Sequence, residues 1–270
     1  MTGTALQSLF PHPPVLLGMV HLPGLPGSPH AVAFDEAIAA ALQDAKTLQN
    51  CGFSGILCEN LGDFPYYPDQ VPTETVAAMA IIADRIKACC SLPVGVNVLR
   101  NDALAALAIA TAARLQFIRV NVLAGTAVTD QGVLTGKAHL LMRERRRLGA
   151  PHVQIYADIR VKHAAPLVAR ELAQEVEEFY DRAGCEALIV SGTGSGKEVD
   201  IEFLRAVRQA AGQRPVLIGS GLHAGNAVAL LRFADGAIVG SSIKVGGQIH
   251  QRIDPQRAAA LVQACHRAVP

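Results

Sequence analysis

Charge of one sign is what this 270-residue sequence most plainly lacks: 24 Lys and Arg stand against 23 Asp and Glu, a formal charge of +1. A nucleic-acid binder usually carries a basic excess or a basic stripe, so no nucleic-acid partner is expected. Long apolar runs are lacking too. A membrane-crossing helix needs about 20 apolar residues, and the best run, Ala103 to Ala113, is too short. The N-terminal MTGTALQSLFPHPP has neither a basic opening nor a long apolar stretch, so no secretory signal is expected. The cysteines (Cys51, Cys58, Cys89, Cys90, Cys185, Cys265) show no CxxC spacing and mostly sit in apolar runs. They read as buried, reduced thiols rather than a metal or redox centre. No linker or shift of composition divides the chain. The expectation is a single cytoplasmic domain over residues 1–270, with no metal and no cofactor, and with peripheral contact to a membrane left open.

Half of the residues are hydrophobic and only 17% are charged, enough to fill a large core. Eight short β-rich runs alternate with alanine- and leucine-rich helical stretches. The runs are Val15 to Leu22, Gly55 to Asn60, Pro93 to Leu99, Phe117 to Leu123, His152 to Ile159, Ala187 to Gly192, Pro215 to Gly221 and Gly236 to Ser242. The helical stretches between them space apolar residues three and four apart, and several end in glycine (Gly52, Gly149, Gly184, Gly212). Eight strand–helix units without a boundary predict a (β/α)8 TIM barrel. An open doubly wound sheet would need G-x-G-x-x-G after the first strand, and HLPGLPGSP is not that turn.

Parity adds a second argument. Arg119 and Asn121 share one face of their strand while Ile118, Val120 and Val122 share the other. Gln154, Tyr156 and Asp158 oppose Val153, Ile155 and Ala157, and Asn97 opposes Val96 and Val98. The face that meets the helices must be apolar, so the polar faces point into the barrel. A polar interior predicts a site.

In such barrels the site lies on the loops after the strands, with phosphate bound after strands seven and eight. GSG at Gly219, Ser220 and Gly221 and GSS at Gly240, Ser241 and Ser242 occupy those two places. Glycines let a backbone approach an anion, and backbone N–H groups and serine hydroxyls donate to it. The same residues would also serve as plain tight turns; their pairing at the last two strands favours a phosphate cradle. SGTGSGKEVD after strand six fails as a P-loop, because Ser191 stands where Gly is required and Glu198 follows Lys197. Its Gly192 and Thr193 are candidates for an extra anion-binding turn.

Glu59, Asp158 and His21 are the acid/base candidates, and Arg119, Asn97 and Asn121 are candidates to orient a substrate. Arg119 inside a barrel needs a counter-charge, which Glu59 or Asp158 would supply. A carboxylate left over and desolvated would become a general base. Arg100, Asn101, Asp102, Lys162 and His163 also stand at strand ends, without an assigned role. A metal site from His21, Glu59, Asp158 and His163 lacks any H-x-H or H-E-x-x-H pair, and a serine triad lacks G-x-S-x-G. Thr129 to Thr135 reads as an active-site loop. The RERRR run, Arg143 to Arg147, reads as a solvated helix face, with an anionic membrane or acidic partner as the alternative.

The motifs LGMVHLPGLPGSP, ENLGDFPYY, GVNVLRND, FIRVNVLAGTAVTDQGVLTG, ADIRVKHAAPL, ALIVSGTGSGKEVD, PVLIGSGL and ADGAIVGSSIKVGG run in order through nearly the whole chain. Together they resemble the BtpA family. That resemblance implies a barrel of the ribulose-phosphate-binding kind. It also implies a role in photosystem I biogenesis or stability, with photosystem I components or the cytoplasmic face of the thylakoid membrane as partners. The alternative it leaves is an enzyme acting on a phosphorylated sugar or nucleoside as an isomerase, lyase or nucleosidase. His223 departs from the Thr or Ser common after the GSG turn. Alanine-rich helices offer faces for self-association, so a homo-oligomer is a further expectation.

Overall fold

A computed structural model describes residues 4–168, 170–192, 194 and 196–268. The chain opens on the short helix α1 (Ala5–Leu9), which Thr4 and Gln7 start with reciprocal side-chain-to-backbone hydrogen bonds. Strand and helix then alternate: β1 (Val15–His21), α2 (Phe34–Asn50), β2 (Gly55–Glu59), α3 (Thr73–Cys89), β3 (Val94–Asn97), α4 (Ala103–Ala112) and β4 (Phe117–Val120). A hairpin follows, β5 (Thr126–Thr129) and β6 (Gly132–Thr135), then α5 (Ala138–Arg147), β7 (Gln154–Ile159), β8 (Ala164–Pro166) and α6 (Leu172–Glu177). The last part runs β9 (Ala187–Val190), α7 (Ile201–Ala211), β10 (Val216–Ile218), α8 (Ala227–Leu230), β11 (Gly236–Val239) and α9 (Pro255–His266).

β1, β2, β3, β4, β7, β9, β10 and β11 close in that order into an all-parallel barrel, β11 pairing back onto β1. These are the eight expected strands, each trimmed at its ends. Gly52, Gly149, Gly184 and Gly212 all take positive φ where helices end. The hairpin was not expected. Thr126 to Thr135 is an antiparallel ribbon turning at Asp130–Gln131, with β8 added to its other edge. Its buried side chains, Ala127 and Leu134, pack on Val122 and Val161 above the barrel.

Two cores result. The larger lies between barrel and helices, built from the outward Val, Ile and Leu of every strand. The smaller fills the barrel interior with Leu17, Met19, Leu57, Phe117, Tyr156, Ile189, Leu217 and Ile238, and Leu6 and Phe10 of the α1 segment close its lower end. Phe117 stacks on Tyr156 at 5.0 Å between ring centres and meets Phe10 edge-on at 6.0 Å. Gly95 makes room for this stack, since a Cβ there would lie 2.2 Å from the Phe117 ring. The barrel interior is therefore apolar below, and its charged groups gather at the C-terminal mouth.

Candidate functional site

Register assembles the mouth. His21 pairs with Glu59, Glu59 with Asn97, and Asn97 with Arg119 across β1, β2, β3 and β4. Because these residues share one pleat parity, all four side chains turn into the barrel in a single row. Asp158, two residues beyond the Arg119 partner Tyr156 on β7, completes the group one step higher.

Within this group the charges divide unequally. Arg119 donates from Nε to Asp158 Oδ2 and from Nη2 to Oδ1, each at 2.8 Å. Asn121 Nδ2 at 3.1 Å and the Ser191 hydroxyl at 3.0 Å donate to the same carboxylate. Asn97 Nδ2 donates to the Arg119 carbonyl and to Asn121 Oδ1, each at 3.1 Å. Asp158, Asn97 and Asn121 thus form the frame that holds Arg119. Glu59 is different: it is 3% exposed, and the one ion-pair contact given for it among the described residues is to the His21 ring, Nε2 to Oε1 at 3.8 Å, too long for a hydrogen bond. His21 Nδ1 is buried without a hydrogen-bond partner among the described residues. Burial holds the His21 pKa well below its ordinary value, and the Lys244 and Lys162 charges push the same way. His21 is neutral at physiological pH.

A cavity of about 440 Å³ opens above this row, walled by His21, Glu59, Arg119 and Lys162 on one side and by both glycine–serine turns on the other. Ser242 Oγ is buried in it with no hydrogen-bond partner among the described residues. The backbone N–H groups of Ser220, Gly221, Gly240 and Ser241 likewise donate to no acceptor among the described residues. Gly240 lets the turn approach β1, since a Cβ there would stand 2.9 Å from His21 Cε1. Gly221 has φ 73°, and a Cβ on it would lie 2.4 Å from the Glu198 Cα and the Lys197 carbonyl.

Other expected contacts take different parts. The Ser220 hydroxyl accepts from the Gly192 N–H at 2.8 Å and donates to the Lys197 carbonyl at 3.1 Å. It ties two loops together, and the Ser220 N–H has no acceptor among the described residues. Gly192 sits in that tie, with the Lys197 and Glu198 carbonyls 2.4 Å from where its Cβ would be. Thr193 lies outside the described residues. His223 Nε2 meets Glu198 Oε1 at 2.9 Å, which lowers the Glu198 pKa and latches the 196–198 segment onto the turn after β10. His21, Glu59, Asp158 and His163 form no metal-type cluster among the described residues.

A second cavity, about 550 Å³, continues past Glu59 and Lys162 to Tyr66, Arg100, Asp130, Gln131 and His163. Here the hairpin tip replaces the expected loop, and it does bring Asp130 and Gln131 to the mouth. Lys162, placed at a strand end without a role, and Lys197, met only in the failed P-loop pattern, both line the first cavity. Both stand beyond the ends of strands, where no periodicity marks which way a side chain points.

A closed parallel barrel with polar groups gathered at the C-terminal ends of its strands defines an α/β-barrel protein whose site lies at the mouth. The chain belongs to the BtpA family, matching it over residues 12–267. It is 42% identical over 259 residues to the Photosystem I biogenesis protein BtpA of Synechocystis, covering 96% of this chain and 90% of that one. It is 43% identical over 249 residues to an uncharacterized protein of Thermococcus kodakarensis, covering 92% and 94% of the two chains. Among solved structures, thiamine phosphate pyrophosphorylase from Pyrococcus furiosus aligns with TM-score 0.60 and 12% identity over 95% of this chain and 98% of that one. The N-(5'-phosphoribosyl)anthranilate isomerase of the same organism aligns with TM-score 0.59 and 11% identity over 94% and 99%. At such identities these two likenesses concern the fold alone. Among the described residues no helix is long and apolar enough to cross a membrane.

Proposed function

We propose that the protein holds a phosphorylated small molecule at the barrel mouth and performs acid–base chemistry on it with Glu59 and His21. One observation carries this reading. The Ser242 hydroxyl and the N–H groups of Ser220, Gly221, Gly240 and Ser241, without acceptors among the described residues, belong to residues that line the same cavity as Glu59, whose carboxylate has no hydrogen bond among the described residues. Half-buried donors without protein acceptors are free to meet a ligand, and a phosphate offers acceptors to such backbone N–H groups. Lys197 at the rim adds a positive charge. Glu59 would take a proton from the bound molecule, and neutral His21 would give or accept one at a neighbouring oxygen. Arg119, fixed by Asp158, presents a positive edge that steadies charge developing between them.

A thermal-shift panel tests the reading with inorganic phosphate, pentose phosphates, nucleoside monophosphates and unphosphorylated sugars, on wild type, Ser242→Ala and Gly240→Asp. Ligand at 100 times its dissociation constant stabilises by about 2.7 kcal/mol. The expected result is a shift with one phosphorylated class, weakened in Ser242→Ala and lost in Gly240→Asp. No shift with any phosphate, from folded wild type, would contradict it.

A role in photosystem I biogenesis is the second reading, supported by the name of the Synechocystis relative. Near-equal identity to the Thermococcus protein favours a chemistry shared by the barrel over one confined to photosynthesis. The basic run on α5 offers less free charge than its sequence suggested: Arg145 pairs with Glu186 and Arg147 with Glu144. Replacing the Synechocystis relative by this chain, with photosystem I content as the readout, tests this second role. Restored content supports it, and unrestored content from a folded, expressed chain opposes it.

A further inference from the structure

Lys162 stands where the two cavities of the mouth meet. It and Glu59 are the two residues that wall both the phosphate-side cavity and the one beneath the hairpin tip. We propose that Lys162 is a nucleophile that forms an imine with the carbonyl carbon of a small phosphorylated aldehyde or ketone. The inference rests on the phosphate reading above, with the phosphate in the cradle after β10 and β11 and the rest of the molecule reaching towards Tyr66 and Arg100.

Partnership sets this lysine apart. Arg119 is locked to Asp158 and Lys244 to Asp44. The Lys162 ammonium has no hydrogen-bond or ion-pair partner among the described residues, although Glu59 and Asp158 are near enough to influence it. Its surroundings shift it towards the neutral amine. Burial lowers its pKa first, and Arg119 and Arg100 add to that against the opposing pull of Glu59 and Asp158. A lysine desolvated beside other cations is the condition that activates an amine towards a carbonyl. The backbone that carries it is held as well. The Lys162 carbonyl accepts from Arg100 Nη2 at 2.7 Å. Arg160 and His163, on either side of it, take φ of 52° and 56°. Left-handed backbone at side chains of this size is strained and gathers at functional sites.

The step balances without an added oxidant or reductant. The neutral amine nitrogen bonds to the carbonyl carbon, and the carbonyl π pair moves to oxygen. One N–H proton passes to that oxygen, giving a carbinolamine. A proton delivered through the Glu59 carboxyl then releases the hydroxyl as water, and the nitrogen lone pair closes the C=N bond of a protonated imine. One proton is consumed and one water leaves.

Borohydride trapping of the full chain tests this, with dihydroxyacetone phosphate and glyceraldehyde 3-phosphate as probes and unphosphorylated glyceraldehyde as control. Intact mass and peptide mapping locate the reduced adduct, and a parallel phosphate titration follows thermal stability. The expected result is one adduct per chain on Lys162, blocked by inorganic phosphate, weak with glyceraldehyde, and lost in Lys162→Arg while that variant keeps its phosphate shift. Adducts on Lys197 or spread over surface lysines, or a phosphate shift with no Lys162 adduct from either probe, would overturn the imine and leave the phosphate site standing. Neither shift nor adduct would overturn both.

Discussion

Arg119 and Asp158 close on each other through two parallel hydrogen bonds of 2.8 Å, with side chains 2% and 0% exposed. That pairing separates two carboxylates of the mouth by role. Asp158 is committed to the frame, and Glu59 is left to the cavity. Removing one partner of a buried ion pair strands the other, at about 3–5 kcal/mol. Asp158→Ala is expected to lose stability on that scale in urea unfolding. Glu59→Gln, which breaks no hydrogen bond among the described residues, is expected to cost less than Asp158→Ala while losing proton transfer. Equal destabilisation by both variants would contradict this division of roles.

His21 gives the pH dependence. Its folded pKa is depressed, so the unfolded chain takes up the proton first as pH falls. Stability is therefore retained above the unfolded value of about 6.5 and declines below it. His21→Gln is expected to flatten the decline below about pH 6.5. Histidine proton NMR should find the His21 ring still neutral when exposed histidines have titrated. A ring titrating with them would refute the buried, neutral state.

Behind the phosphate-side turn, Lys244 Nζ donates to Asp44 Oδ2 at 3.0 Å, and Asp44 Oδ1 accepts from the Ile253 N–H at 3.0 Å. Arg252 adds an ion pair to the Asp44 carboxylate and donates to the Ala40 carbonyl. This ties the segment after Ser242 to α2. Asp44→Ala is expected to cost about 3–5 kcal/mol and to weaken phosphate binding by loosening the cradle. Asp44→Leu combined with Lys244→Met should recover part of the stability, as read by the unfolding midpoint.

Gly221 and Gly212 separate conformational strain from close approach. Both have positive φ, but a Cβ on Gly212 meets nothing within 4 Å, whereas one on Gly221 strikes the 197–198 backbone. Alanine at either costs stability for its φ, and more than about 1 kcal/mol is expected at Gly221. Only Gly221→Ala should also reduce phosphate-induced stabilisation. Equal effects on binding would show that the loop contact is irrelevant.

Much of this was legible in the chain, and for a physical reason. Strand parity is a local property, so Arg119, Asp158 and Asn97 could be placed inward from their own runs. Turn chemistry is local too, which is why GSG and GSS pointed to strands seven and eight. The choice between Glu59 and Asp158 as partner of Arg119 was not local. It depends on the register of β4 against β7, and no single run encodes that. Nor could the chain reveal that the Ser220 hydroxyl is spent on Gly192 and Lys197, because that bond joins two loops. The hairpin was missed because TAVTDQGVLT reads as a polar loop until its two arms pair.

The central claim is that the turns after β10 and β11 hold a phosphate. An amide NMR titration of the 15N-labelled protein with inorganic phosphate tests it most directly. The account predicts saturable shifts of the Ser220, Gly221, Gly240, Ser241 and Ser242 amides, all with one dissociation constant, and their loss in Gly240→Asp. Shifts confined to the arginine-rich face of α5, or none at all, would contradict it.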